Sequence, residues 1–342
     1  MYRFKVLFQL IRYFGIGWLL YRITYKLKIS SGYLRWKLPS YQWSDRLLEY
    51  WIHKNIPSSA DAYVKWRLTN RGKFFFSKIP SSYPFKEQST SVTEANAIID
   101  GRWQYFTGEI FDVGMPPQWH LNPLTGQHVP PDRHWTQIAD FDAGDIKYIW
   151  EASRFSVVYT FVRAYATNQD IKYANAFWQL VEDWAAENPP QLGTNWKCGQ
   201  EGTFRVMAWC FGLYAFEEHA TSAQITRLVA MIAAHGERIE KNIDYARSQN
   251  NNHGISEGVG LWTIGILFPE LRSAESWAKL GKKVVEAEIR RQVYSDGSYS
   301  QYSPNYQRVM LHDAVWALRL GELNGNQFPQ DIYEKISLSA NF

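Results

Sequence analysis

The sequence predicts a mainly α-helical protein in which helical hairpins pack in a ring or solenoid. Apolar residues recur at steps of three and four along most of the chain after residue 145, which is the period of a helix with a buried face. Clusters of Gly, Pro and Asn divide this part into segments of about 12 to 24 residues, as expected of helical hairpins. A hydrophobic content of 46% in 342 residues is enough for a large core and argues against disorder.

The first 28 residues combine apolar and basic side chains. The basic residues are Arg3, Lys5, Arg12, Arg22, Lys26 and Lys28. They interrupt every apolar run before the ~18 residues that a membrane span requires, and no small-residue cleavage site of a secretory signal follows. We therefore predict an amphipathic helix that packs on the main domain, with peripheral membrane contact through residues 1–28 as the alternative. The corresponding expectation is a cytoplasmic or peripheral-membrane location.

Two domains are predicted, with a boundary near residue 90. Residues 1–90 are expected to be an N-terminal helical extension and linker, with short helices at 43–55 and 60–69 and an irregular stretch rich in Pro, Ser and Gly at 71–91. Residues 97–135 hold Gly, Pro, Trp and His in dense irregular order. This composition predicts a loop with a short strand or two that lies across the domain as a cover.

Helical periodicity begins near residue 145. The first apolar stripe is Ile149, Ala152, Phe155, Tyr159, Val162 and Ala166. Further helices are predicted around residues 173–184, 204–211 and 225–243, and the last two at 274–294 and 305–323. Turn residues at 189–193, at 250–254 and at 296–297 separate these helices.

Composition excludes several classes of protein. A net charge of +4 is too small for a dedicated nucleic-acid binder but suits a polyanionic ligand. Cys198 and Cys210 lack the spacing of a zinc site or a disulfide framework, so no metal and no redox cofactor are expected. The 16 Trp, 21 Tyr and 19 Phe residues provide rings that can stack on sugars, and most of them are expected in the core.

Two polar segments carry the best indication of chemistry. Residues 249–254 read Gln-Asn-Asn-Asn-His-Gly, and residues 296–306 read Asp-Gly-Ser-Tyr-Ser-Gln-Tyr-Ser-Pro-Asn-Tyr. Asn252 and His253 can neutralise a carboxylate, and Tyr306 can take a weakly acidic proton from the carbon beside it. This combination points to eliminative cleavage of an acidic sugar polymer.

Other residues in and near these segments have possible supporting roles. Arg205 and Arg308 are candidates for lowering the pKa of Tyr306 from its normal value of about 10. Gln249 and Tyr302 are candidate substrate-binding residues. The structural alternative is a helix-ending turn at 249–254, followed later by a helix start with Ser303 as N-cap and a proline at the first helical position.

Four blocks of sequence, in the same order, resemble the heparinase II/III-like polysaccharide lyases, whose catalytic domain is an α/α toroid. The blocks are 145–154 (Asp-Ile-Lys-Tyr-Ile-Trp-Glu-Ala-Ser-Arg), 195–205 (Asn-Trp-Lys-Cys-Gly-Gln-Glu-Gly-Thr-Phe-Arg), 251–258 (Asn-Asn-His-Gly-Ile-Ser-Glu-Gly) and 296–307. The resemblance implies an incomplete (α/α) toroid of helical hairpins at 91–342 with an N-terminal helical extension. It also implies an acidic polysaccharide or oligosaccharide as partner, with no nucleic acid and no cofactor.

Carried over position by position, the resemblance assigns the catalytic roles. Asn252 and His253 correspond to the residues that neutralise the substrate carboxylate, and Tyr306 corresponds to the catalytic tyrosine. The candidate substrate-binding residues in the block that shapes the cleft are Trp196, Glu201 and Arg205. Glu201 and Arg205 stand four residues apart on one helical face, so they could also simply pair with each other.

Some residues of these blocks have a structural interpretation, and some features of the chain differ from the family pattern. Trp150, Glu151 and Arg154 are interpreted as an ion-paired scaffold before any catalytic role. Gln301 stands where relatives often carry Glu, so a role that needs a carboxylate there is in doubt. Relatives continue into a C-terminal β-sandwich that covers the cleft, whereas this chain stops at Phe342. The toroid is therefore predicted to be truncated at its C-terminal end, with the sandwich missing from this chain.

Three functions remain open on the sequence. The first is a lyase that removes the C5 proton of a uronic acid and leaves an unsaturated uronate. The second is a non-catalytic glycan-binding or surface-polysaccharide assembly protein on the same fold. The third is a glycoside hydrolase on an α/α barrel, whose two carboxylates would come from Asp140, Asp142, Asp145 or Glu151. The absence of a convincing acidic pair beside the Asn-His-Tyr set argues against the hydrolase.

Overall fold

A computed structural model describes residues 2–77, 79, 88–106 and 108–342. Four short strands lie at β1 Arg102–Tyr105, β2 Glu109–Asp112, β3 Leu121–Asn122 and β4 Gln127–His128. The helices before them are α1 Tyr2–Phe14, α2 Ile16–Ser30, α3 Tyr33–Lys37, α4 Leu48–Trp51, α5 Ala60–Asn70 and α6 Gln88–Ile99. Those after them are α7 Lys147–Ser153, α8 Val157–Asn168, α9 Lys172–Glu187, α10 Gly199–Phe216, α11 Ser222–Glu240, α12 Ile243–Ser248, α13 Asn252–Leu267, α14 Ala274–Gln292, α15 Pro304–Leu323 and α16 Gln330–Asn341.

The predicted N-terminal amphipathic helix is two helices. Gly15 has a φ of 80°, a left-handed backbone that favours glycine, and it separates α1 from α2. Trp18 of α2 donates its indole N–H to the Ser248 carbonyl at 2.7 Å, and the Tyr25 ring stacks on Tyr245 with centroids 4.2 Å apart. These contacts confirm that this region packs on the main body of the protein.

The irregular region before the helical part contains two small antiparallel hairpins. Strand β1 pairs with β2, with Arg102 opposite Asp112, and β3 pairs with β4, with Leu121 opposite His128. Trp119, which precedes β3, stacks on Phe155 at 5.4 Å. This confirms the predicted loop with short strands, and the stacking shows that it covers the N-terminal end of α8.

Helices α8 to α15 form an (α/α) toroid. Helix α13 packs against α10, α11, α14 and α15 and is buried along almost its whole length. Glycines permit the closest of these approaches, because a Cβ atom at Gly265 would lie 2.5 Å from backbone atoms of α14. The same is true of Gly281, whose Cβ would lie 2.5 Å from the Trp262 backbone nitrogen. The mainly α fold expected from the sequence is confirmed.

The residues before position 90 share the core of the residues after it. Arg67 of α5 is ion-paired with Glu270, which follows α13, at 2.6 Å, and both side chains are buried. Tyr63 donates its hydroxyl to the same carboxylate oxygen at 2.6 Å. Of the stretch predicted to be irregular at 71–91, residues 78 and 80–87 lie outside the described residues, and 88–91 belong to α6. The boundary near residue 90 stays a prediction.

No helix in the described ranges is both long enough and apolar enough to cross a membrane.

Candidate functional site

The N-terminal ends of α10 and α13 meet at one place and form the candidate site. Asn251 caps α13, since its side-chain oxygen accepts the His253 backbone N–H at 3.1 Å. Asn252 donates its amide N–H to the side-chain oxygen of Gln200, in the first turn of α10, at 2.8 Å. Both helices are long, and the dipoles of their N-termini favour an anion beside them.

The loop before α15 closes the third side of this site. Gln301 accepts the backbone N–H of Asn252 at 2.9 Å through its side-chain oxygen. The neutral side chain of Gln301 therefore holds the first turn of α13. This hydrogen bond does not require a carboxylate at position 301. Tyr302 follows in a left-handed conformation, with a φ of 49°, and the chain then enters α15. The link from Gln301 to Asn252 brings two of the sequence blocks together.

His253 is a neutral imidazole at this site. Burial lowers its pKa, although the nearby Glu201 carboxylate opposes the change. The Cys198 sulfur lies 3.7 Å from Nδ1, and burial raises the pKa of the Cys198 thiol to about 12. A protonated thiol donates to Nδ1, which leaves the hydrogen of the neutral ring on Nε2. His253 can thus donate a hydrogen bond but does not add a positive charge.

An ion-paired group lies beside His253. Arg154 donates to both carboxylate oxygens of Glu201, at 2.5 and 2.9 Å, and also pairs with Glu151. Trp150 donates its indole N–H to the Thr194 carbonyl at 2.9 Å. The interpretation of Trp150, Glu151 and Arg154 as an ion-paired scaffold is confirmed for the two charged residues, and Trp150 fixes the turn before α10. The suggested pairing of Glu201 with Arg205 is wrong, because Arg154 holds Glu201.

Arg205 is completely buried beneath the site. Its guanidinium donates to the carbonyls of Ser153 at 2.6 Å and Asn195 at 3.1 Å, and it contacts His235 at 2.8 Å. With its donors occupied inside the core, it reaches neither a substrate nor Tyr306. The expectations that Arg205 binds substrate or tunes the tyrosine are therefore corrected: the residue supports the helices from within.

Trp196 is also enclosed, at 1% exposure. Its ring lies 4.4 Å from that of His235 and 6.0 Å from those of Trp43 and Trp184, in an aromatic cluster. A ligand cannot stack on a ring that is covered on these sides. This corrects the expectation of direct substrate contact for Trp196, whose role is to pack the core behind the site.

The remaining candidates are open to solvent to different degrees: Tyr306, Tyr302, Gln249 and Arg308. Tyr306 is 43% exposed on the first turn of α15, and Tyr302 is 83% exposed. Gln249 is half-buried at the end of α12, and Arg308 is exposed. Among the hydrogen bonds of the described residues, none joins Tyr306 to Asn252 or His253. The structure brings Asn252, His253 and Glu201 together and leaves the phenol of Tyr306 exposed to solvent.

Two residues of the site were missed by sequence reasoning. Gln200 orients the Asn252 amide, and its place in the sequence block 195–205 was the available signal. Glu257 is 3% exposed on α13, one turn after His253, and its carboxyl group occupies the space that a side chain on Gly199 would need. Burial raises the pKa of Glu257 to about 8, so it is protonated at neutral pH. It therefore adds no negative charge to the site.

Glu257→Gln is expected to make the stability of the protein less sensitive to pH between about 4.5 and 8. The folded carboxyl keeps its proton up to about pH 8, whereas its ordinary pKa is 4.5. Between these values the folded state binds the extra proton, so stability falls as pH rises, by up to about 1.4 kcal/mol per pH unit for this group. Urea unfolding at several pH values across this window measures the slope. Glu334→Gln, at an exposed carboxylate, is the control, and equal slopes for Glu257→Gln and the wild type would contradict the assignment.

The described part of the chain contains no group of three or more His, Cys, Asp or Glu side chains that could hold a metal ion.

The fold and this polar site define the class: an α/α toroid with a polar site at the N-termini of two core helices. The model of the family Heparinase II/III N-terminus matches residues 42–342. The chain belongs to this family.

Individual relatives agree with this membership. A heparin-sulfate lyase from Bacteroides thetaiotaomicron is 26% identical over 184 residues, which are 52% of this chain and 26% of the relative. One from Pedobacter heparinus is 27% identical over 203 residues, covering 57% of this chain and 27% of the relative. A crystal structure of heparinase III superposes with a TM-score of 0.63 at 20% identity, covering 86% of this chain and 46% of that one. The chain thus spans about a quarter of each of these lyase sequences and under half of the solved structure.

Proposed function

We propose that the protein is a polysaccharide lyase that cleaves an acidic, uronate-containing polysaccharide by β-elimination. The observation that supports this most strongly is the convergence of Asn252, His253 and two helix N-termini on one small polar site. Such a site offers several neutral hydrogen-bond donors and the positive ends of two helices to a carboxylate. The names of the relatives, heparin-sulfate lyases, point to a glycosaminoglycan of the heparan type as substrate.

The proposed reaction starts with the carboxylate of the uronic acid at the ends of α10 and α13. Gln200 occupies one of the two amide hydrogens of Asn252. The Asn252 side chain is 1% exposed, so the two helix ends open slightly to let a substrate oxygen reach its second hydrogen, and the Nε2–H of half-buried His253 provides another donor. These donors stabilise the negative charge that grows on the carboxylate as the C5 proton leaves. The Tyr306 phenolate takes that proton, the bond from C4 to the leaving oxygen breaks, and the resulting Tyr306 phenol gives the proton to the leaving oxygen. The product carries a C4–C5 double bond.

The test of the proposal is the ultraviolet absorbance of an unsaturated uronate, followed with heparan sulfate and other uronate-containing polysaccharides. A lyase increases this absorbance with time, whereas neither a hydrolase nor a binding protein does. Binding of the same polysaccharides without any absorbance change would establish the glycan-binding alternative, which the exposed position of Tyr306 favours.

The hydrolase alternative has little support in the geometry. Glu151 is ion-paired with Arg154, and Asp140 pairs with Lys197 at 2.8 Å. Asp145 lies 3.9 Å from Lys147 at the start of α7. A hydrolase needs two free carboxyl groups that face each other across the scissile bond. These three candidates are instead held separately by basic side chains, and the fourth, Asp142, is exposed to solvent.

Asn252→Ala is expected to lower kcat about 100-fold while changing substrate affinity much less. The carboxylate gains charge toward the transition state, so a donor aimed at it acts mainly on the rate. Steady-state kinetics together with equilibrium binding of a resistant oligosaccharide measures the two effects. Asn175→Ala, at an exposed asparagine on α9, is the matched control and should keep wild-type values. Equal losses of affinity and of kcat/KM, with kcat unchanged, would overturn the role given to Asn252.

A further inference from the structure

Helix α2 has two apolar faces, and only one of them packs on the protein. Trp18 and Tyr25 face the body, where Trp18 donates to Ser248 and Tyr25 donates to Asn242 at 3.1 Å. Four large aliphatic residues on the opposite face point into solvent. They are Ile16 at 65% exposure, Leu20 at 56%, Ile23 at 49% and Leu27 at 59%. Their spacing of four, three and four residues forms one continuous stripe along the helix. The packed face fixes α2 with this stripe directed outward.

The charge around the stripe is of one sign. The first 44 residues contain eight Lys and Arg and no Asp or Glu, and the first acidic residue is Asp45. The whole chain carries +4, so +4 minus +8 leaves −4 on the remaining residues. Lys26 and Lys28 are exposed and flank the stripe on its two sides. A strongly basic segment thus projects from an otherwise slightly acidic protein.

Exposed aromatic rings lie on the helices next to α2 in the chain, and one of them, Phe14, stacks on Trp18 with ring centroids 4.7 Å apart. Tyr13 at the end of α1 is 78% exposed and Phe14 is 44% exposed. Trp36 of α3 is 76% exposed and Tyr33 is 42% exposed. Rings that combine an apolar body with a polar edge are enriched where hydrocarbon meets water at a bilayer surface. The aliphatic stripe, its basic flanks and these exposed rings all belong to the first three helices, and the rest of the described chain leaves them open to solvent.

We propose that this surface, formed by α1, α2 and α3, binds an anionic lipid bilayer with α2 lying flat in the interface. Apolar side chains enter the acyl boundary while lysines remain at the level of anionic headgroups. A second copy of the chain is the less suitable partner, because two segments that each carry +8 repel each other. A soluble polyanion is also less suitable, because it satisfies the charge and leaves the aliphatic stripe in water. This inference is independent of the proposed lyase function.

The experiment is co-sedimentation of the chain with vesicles of phosphatidylcholine alone and of phosphatidylcholine mixed with phosphatidylglycerol. The wild type should bind the anionic vesicles. Two double variants should each lower the affinity for these vesicles by about tenfold or more. Leu20→Gln with Leu27→Gln removes apolar surface, and Lys26→Gln with Lys28→Gln removes charge. Leu68→Gln with Leu338→Gln replaces two leucines of similar exposure, 54% and 47%, away from the surface. This control should bind as the wild type does. Circular dichroism and thermal melting confirm that each variant is folded.

Several results would overturn the proposal. One is failure of the wild type to bind anionic vesicles, and another is equal binding of the wild type to neutral and anionic vesicles. A dimer in sedimentation velocity that Leu20→Gln with Leu27→Gln disperses would identify a second copy as the partner. Binding of soluble heparan sulfate that depends on the lysines, without vesicle binding, would make the surface a polyanion site. Lyase activity on a soluble substrate is expected to stay unchanged in all these variants. The proposal of bilayer binding and the proposal of lyase activity can therefore be contradicted independently.

Discussion

Tyr306→Phe is expected to abolish the formation of unsaturated uronate, lowering kcat by about 1,000-fold or more, while substrate binding changes by no more than about threefold. The substitution removes only the hydroxyl that accepts and delivers the proton, and the ring keeps its contacts. The residue is 43% exposed on the first turn of α15, so the loss of the hydroxyl leaves the fold unchanged. Absorbance assays for turnover and calorimetry for binding provide the two measurements.

Tyr50→Phe is the matched control for this experiment. Tyr50 is 45% exposed, close to the value for Tyr306, and it lies in α4. It should retain full activity. If Tyr306→Phe kept more than a tenth of the wild-type kcat, Tyr306 would not be the proton-transfer residue. The glycan-binding alternative predicts a different pattern, in which neither variant nor wild type produces absorbance.

Arg67→Met is expected to destabilise the protein by about 3 to 5 kcal/mol, because it leaves the Glu270 carboxylate buried without its cation. The two groups lie 2.6 Å apart and are almost inaccessible to solvent. Tyr63 still donates to Glu270, but one neutral hydrogen bond does not replace the guanidinium. Urea unfolding at neutral pH measures the loss. The effect would show that α5 is essential to the stability of the toroid.

Two further variants make this measurement specific. Adding Glu270→Gln to Arg67→Met removes the unpaired charge and should restore a large part of the lost stability. Arg163→Met removes an arginine that is 51% exposed and lies 3.8 Å from Glu94, and it should change stability little. A loss in Arg67→Met no larger than that in Arg163→Met would mean that the buried pair does not hold α5 to the body.

The fold class was predictable because helical periodicity is a local property of the sequence. The stripe beginning at Ile149 and the breaks at 189–193 and 250–254 are readable without any knowledge of neighbours, and they fall within α7 to α13. The structure differs in dividing the first stripe into α7 and α8 at Phe155, which has a φ of 60°. The break at Gly15 was not predicted. It depends on a positive φ that a glycine allows but does not require.

The candidate site was predictable in part. Asn252 and His253 are close together in the chain, and the capping turn at 249–254 places both at the start of α13. Gln200 and Glu257 were missed, since their roles depend on the contact between α10 and α13. The assignments of Trp196 and Arg205 to substrate failed for the same reason: sequence spacing does not tell which face of α10 is turned inward. The role of Tyr306 remains a prediction.

The sequence by itself determined the helical class, the order of the helices, the polar segments at their N-termini and the basic, acid-free character of the first 44 residues. Which side chains pair with each other, and which helix faces are exposed, was decided by the tertiary structure alone. Glu201 is held by Arg154 from α7's end and not by Arg205 on its own helix, and the Ile16 to Leu27 stripe of α2 faces outward. The physical reason is that periodicity and capping act within a few residues of the chain. Burial and ion pairing depend on how helices rotate and approach one another, which only the packed protein determines.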